Sequence, residues 1–113
     1  MTSDNNIKIP SRYTIGGQDM EVEIVPQDSP IGGQLGVCNL ALGKIWISEN
    51  QTDTSMQNTF IHEFIHTVFD TCGHAELSGD EALVGSMAGF ILEALRSMEY
   101  KEETNEKGGM INE

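Results

Sequence analysis

The chain is short of almost everything that would tie it to a membrane, a nucleic acid or an oxidising compartment. It has two cysteines, Cys38 and Cys72. That is too few for a disulfide framework, so both are expected to be free, buried thiols in a reducing compartment. No apolar run approaches the roughly 20 residues that a membrane-spanning helix needs, and no membrane partner is expected. Residues 1–10 have neither the basic start nor the apolar stretch of a secretory signal, so the expected location is the cytoplasm. Basic residues are scarce: six Lys and Arg against eighteen Asp and Glu give a net charge of −12. Such a surface repels phosphates and argues against nucleic-acid binding, while favouring basic protein partners. With 113 residues, one modest core is affordable. A single domain over residues 1–100 is expected, followed by a polar, flexible tail over 101–113.

Histidine is also scarce, and its distribution is informative. Two of the three histidines fall in His62-Glu63-Phe64-Ile65-His66. Residues four apart on a helix lie on one face, a turn apart. Two imidazoles at that spacing can bind one metal ion, with Glu63 beside them and within reach of a water. The flanking pattern is helical: Phe60/Ile61, Phe64/Ile65 and Val68/Phe69 recur every four residues as a core-facing stripe. His62, His66 and Asp70 form the adjoining stripe, where a helix packed on a core borders a cleft. The plain alternative is a core helix with two incidental histidines.

The rest of the chain reads as an α+β fold, a small antiparallel or mixed sheet of about four strands packed on this helix and a second, C-terminal one. Residues 13–15 and 20–25 are expected to form a hairpin around a turn at 16–19, the second strand alternating apolar and acidic residues. Pro26, Pro30, Gly32 and Gly33 mark a loop. Residues 35–39 and 44–48 read as two further strands. The first helix is expected over about 54–71, with Gln57 completing a capping box with Thr54, and a stop near Gly73. A loop over 74–79 leads to a second helix beginning at Glu81. Val84, Ala88, Ile91, Leu92 and Leu95 form its expected buried stripe, and Gly85 and Gly89 would let it approach the first helix closely.

The His62-Glu63-x-x-His66 motif resembles that of the zincin metallopeptidases. The order of pieces, a few strands, the motif helix, then an acidic start to a second helix, is similar to a stripped-down gluzincin. It also resembles the small HExxH proteins of phages and mobile elements and the ImmA/IrrE-type peptidase domain. The resemblance implies a Zn2+ held by His62, His66 and an acid downstream. Glu63 would be the base that takes a proton from water activated by the zinc, attacking a peptide bond of a specific intracellular protein. The third ligand has several candidates. A metzincin pattern would put it at Cys72, and Phe69 replaces that pattern's glycine. His74 lies eight residues after His66. Glu81 fits the gluzincin pattern best, with Asp80 and Glu76 as neighbours. Asp70 is a candidate to orient an imidazole through a hydrogen bond; Tyr13 and His74 are candidates to stabilise an oxyanion. The resemblance further implies that the strand just before the helix, 44–48, forms the cleft edge along which substrate lies; Trp46 alternates with Ile45 and Ile47 and so faces the opposite side. A scaffold this small also suggests a partner or larger assembly. The competing function is a non-catalytic acidic module that captures a basic protein.

Overall fold

The computed structural model describes residues 7–26 and 31–101; beyond Lys101 the expected polar tail lies outside the described residues. Among these, the order is Arg12–Ile15 (β1), Gln18–Val25 (β2), Gly36–Asn39 (β3), Lys44–Ser48 (β4), Asp53–Thr71 (α1), Ala75–Ser78 (α2) and Glu81–Ser97 (α3). The fold is α+β, with a mixed four-stranded sheet in the order β1-β2-β4-β3. β2 pairs antiparallel with β1 and parallel with β4, and β4 pairs antiparallel with β3. Among the described residues, no helix is long and apolar enough to cross a membrane.

Alternation in β2 divides the sheet into a dry face and a wet one. Met20 and Val22 are buried with Ile45 and Ile47 of β4, and these side chains join Phe60, Ile61 and Ile65 of α1 in one core. On the wet face, Lys44 Nζ donates to Glu21 (2.6 Å) and Glu23 (3.0 Å), and Trp46 Nε1 donates to Glu23 at 3.1 Å. Exposed ion pairs of this kind contribute only about 0–1 kcal/mol. Full burial of an aliphatic side chain contributes about 1.5–3 kcal/mol, so the dry face holds the sheet on α1.

Several local expectations are corrected. The hairpin turn is only Gly16-Gly17, because Gln18 and Asp19 already pair with Ile15 and Thr14. Thr52, not Thr54, caps α1: its hydroxyl accepts from Ser55 N at 3.1 Å. Gln57 therefore lies outside any capping box, and is buried. The α1 C-terminus ends as expected at Gly73, whose φ of +84° only glycine adopts without strain. Gly73 N donates to the Asp70 carbonyl (3.2 Å) and His74 N to that of Phe69 (2.8 Å). The segment expected as a loop over 74–79 contains the short helix α2. Along α3, Val84, Ala88 and Leu92 are the buried line, while Ile91 and Leu95 are more than a third exposed. Gly85 and Gly89 sit one position off that line and face open space, so they mediate no close helix contact. Cys72 is exposed rather than buried, because it lies at the α1 C-cap; Cys38 is half-buried.

The largest correction concerns the sheet edge. Because β4 pairs on both sides, with β2 and β3, it offers no free edge, and β3 is the outermost strand beside α1. Gly36 makes this approach possible. A Cβ there would run into the Thr59 methyl and lie 3.3 Å from Glu63 Cγ. Thr59 cannot simply rotate away, since its hydroxyl donates to Gln51 Oε1 at 3.0 Å. Gly36→Ala is expected to lower stability by about 1–3 kcal/mol, as overpacking does. Adding Thr59→Ser, which removes the methyl and keeps the hydroxyl, should recover most of it. Urea denaturation of both single variants and the double measures this, and additive losses would contradict the close approach.

Candidate metal centre

The sequence of α1 fixes where its polar face opens. With Phe60, Ile61 and Ile65 buried, the helix turns His62 and His66 toward a cleft of about 550 Å³ between α1 and β3. Their rings are 5.1 Å apart, centroid to centroid. Glu81 reaches them from the first turn of α3. Its Oε1 is 3.0 Å from His62 Nε2 and its Oε2 3.4 Å from His66 Nε2. Among the described residues, His62, His66 and Glu81 are the group whose ligand atoms converge, all within 4.8 Å of one another.

The donor set and spacing suit zinc. Bonds of 2.0–2.1 Å in a tetrahedral site put neighbouring ligand atoms about 3.3 Å apart, close to the two separations seen. A ring nitrogen facing a carboxylate must either carry a proton or share a cation with it. A cation seated there replaces those protons, which couples metal binding to proton release. Two imidazole nitrogens and one carboxylate are also the ligand number of a catalytic rather than a closed structural zinc site.

The other third-ligand candidates are occupied or elsewhere. Asp80 is the α3 N-cap, its carboxylate accepting from Leu83 N at 3.1 Å. Glu76 and Cys72 are exposed and do not join the group, and His74 is the exposed residue before α2. Tyr13 is drawn away as well: its hydroxyl is 3.0 Å from Thr67 Oγ1, and its ring packs on Phe60 and Phe64.

The orienting contact expected from Asp70 belongs instead to Ser78. Its Oγ lies 3.0 Å from His66 Nδ1, and the residue is buried at 7 % exposure. A hydroxyl there can accept Nδ1–H, the tautomer that leaves the Nε2 lone pair toward Glu81. Asp70 lines the cleft without a hydrogen bond to either imidazole among the described residues. Sequence reasoning missed both Ser78 and Gly36. Ser78 was hidden because α2 was not anticipated; Gly36 carries no local signal of what it faces.

Glu63 is buried at 8 % exposure, behind Gly36. Burial pushes its carboxyl above the usual range; the two imidazoles oppose this and Glu81 adds to it. Across the cleft, burial and then the charges of Glu63 and Asp70 push the Cys38 thiol up to about 12, so it stays protonated. The chain matches no known protein family, no curated protein and no solved structure.

His66→Ala is expected to abolish stoichiometric zinc. Glu81→Gln should weaken affinity far more than Asp80→Asn or Glu76→Gln, and Ser78→Ala should cost about 10–100-fold. Competition titrations with a chelating dye rank the variants; equal effects from all three acids would mean that only general acidity matters.

A second expectation follows from the burial of Glu63. Its folded-state pKa lies above the unfolded value of about 4.3, so the folded chain loses relative stability as pH rises through that interval. Metal-free Glu63→Gln should therefore melt higher than wild type at about pH 7, and the gain should vanish below about pH 4, where both states are protonated. Thermal melts at the two pH values decide it; no gain at neutral pH contradicts the burial penalty.

Proposed function

We propose that the chain is a zinc-dependent endopeptidase acting on a specific protein in the cytoplasm. The observation that carries this reading is the convergence of His62, His66 and the Glu81 carboxylate beside a buried Glu63 in an open cleft. A zinc ion held by these three residues supplies Lewis acidity, polarising a carbonyl and making water a nucleophile near neutral pH.

The chain's own residues account for the rest. Glu63 takes the proton from the attacking water and delivers it to the departing amine. Its buried place beside the two imidazoles puts it within reach of both proton transfers, and such positioned proton transfer is worth about 10²- to 10⁴-fold in rate. Ser78 holds the His66 ring in its binding tautomer. The outer edge of β3 offers backbone groups to an extended peptide, which can add to the sheet as a further strand. Gly36 keeps that edge close to Glu63, so the bound backbone runs past the base. Two free thiols are in keeping with a reducing compartment.

A purely capturing module has no need of Glu63. A buried carboxylate lowers stability unless it is used, and buried acids with shifted pKa values in clefts are enriched at catalytic sites. Glu63→Gln is expected to keep zinc and fold and to lose hydrolysis by about 10²- to 10⁴-fold, because an amide cannot accept the proton. The assay digests a complex peptide library with zinc-loaded wild type and variant and scores new termini by mass spectrometry. Unchanged cleavage by the variant would point to another base or a contaminant. Binding without cleavage by wild type would favour the acidic capture module.

A further inference from the structure

The walls of the cleft differ in charge. Every charged side chain that lines it is acidic, namely Glu63, Asp70 and Glu81, and no lysine or arginine among the described residues does. Two of these acids are engaged, Glu81 with the imidazoles and Glu63 in its buried position behind Gly36. Asp70 is different. It is exposed, and its carboxylate has no hydrogen-bond or ion-pair partner among the described residues.

On α1, Asp70 is four residues past His66, a rise of about 6 Å, and it lines the same cleft as Gly36 and Cys38 of β3. Two residues of strand span about 6.6 Å. Asp70 therefore stands about two residues of extended chain from His66, on the wall facing β3.

We infer that Asp70 makes the cleft selective for a lysine or arginine side chain within two residues of the scissile bond; this rests on the peptidase reading above. An extended peptide added to β3 directs side chains alternately away from the sheet, and a long cationic one reaches the unpartnered carboxylate. Cys38, the neutral neighbour on the opposite wall, does not compete for that charge. The net charge of −12 acts in the same direction by raising the local concentration of cationic peptides. An acidic side chain at the same position would meet the like charge of Asp70.

The test uses zinc-loaded full-length protein and a peptide library with balanced acidic and basic content, read in two ways. Wild-type cleavage sites are sequenced, and peptides retained by immobilised Glu63→Gln protein are identified in parallel. Lysine or arginine should be favoured roughly three- to tenfold in kcat/KM at one position within two residues of the cut, a modest figure because the pair is partly solvated. Asp70→Asn should flatten the preference, and Asp70→Lys should invert it toward Asp and Glu. The retained peptides should follow the same order. Cleavage with no basic preference, or a preference unchanged in Asp70→Lys, overturns the assignment of Asp70 and leaves the peptidase reading intact. Absence of cleavage overturns the peptidase reading. Retention then decides the Asp70 site: a basic bias lost in Asp70→Asn supports it, and no such bias refutes it.

Discussion

Val84, Ala88 and Leu92 of α3 are buried in the same cluster as Phe60, Ile61 and Ile65 of α1, and this apolar contact is what holds Glu81 over the two imidazoles. The magnitudes decide the direction of cause. Glu81 is 68 % exposed, and an exposed ion pair contributes about 0–1 kcal/mol. Burial of Val84 and Leu92 contributes about 1.5–3 kcal/mol each. The carboxylate therefore does not pull the helices together. The core sets their spacing, and the Asp80 cap fixes where α3 begins, so Glu81 is delivered at the first turn. The core thus sets where the three side chains meet, and the carboxylate's own contacts contribute little to that placement.

A second constraint runs from β3 to Glu63. The edge strand can approach α1 only because residue 36 has no side chain, and that approach is what buries Glu63. The same contact thus shapes the cleft wall and raises the pKa of the acid behind it. The two effects cannot be varied independently, since a side chain at 36 would move the strand, open the cleft and wet the carboxylate together. Such coupling of burial and chemistry is expected where a fold concedes stability for function.

Much of this was legible in the sequence. The α+β class, the alternation of β2, the α1 span and the shared face of His62 and His66 follow from periodicity, because each depends on neighbours within a turn or a pleat. So does the acidic start of α3 that carries Glu81. What was not legible depends on pairing between distant segments. Nothing local says that β4 takes β2 as a parallel neighbour, and with that pairing the edge passes to β3. Gly36 reads as an ordinary strand-end glycine until Thr59 and Glu63 are set against it. Ser78 reads as loop until α2 forms and turns its hydroxyl to His66. Asp70 shares the imidazole stripe, as expected, yet sharing a stripe did not give it a hydrogen bond to either ring. The one-residue offset of Gly85 and Gly89 from the buried line of α3 was within reach of helical periodicity, and overlooking it produced a contact that does not exist.

The central claim is that one zinc is held by two imidazoles and one carboxylate contributed by two helices. X-ray absorption at the zinc edge on the stoichiometrically loaded protein tests it most directly, because nitrogen or oxygen and sulfur differ in bond length and backscattering. The account requires a first shell of nitrogen and oxygen at about 2.0–2.1 Å, with multiple-scattering features of two imidazoles and no sulfur. A sulfur at about 2.3 Å would bring Cys38 or Cys72 into the shell, and three imidazoles would bring in His74. Either result would contradict the site described.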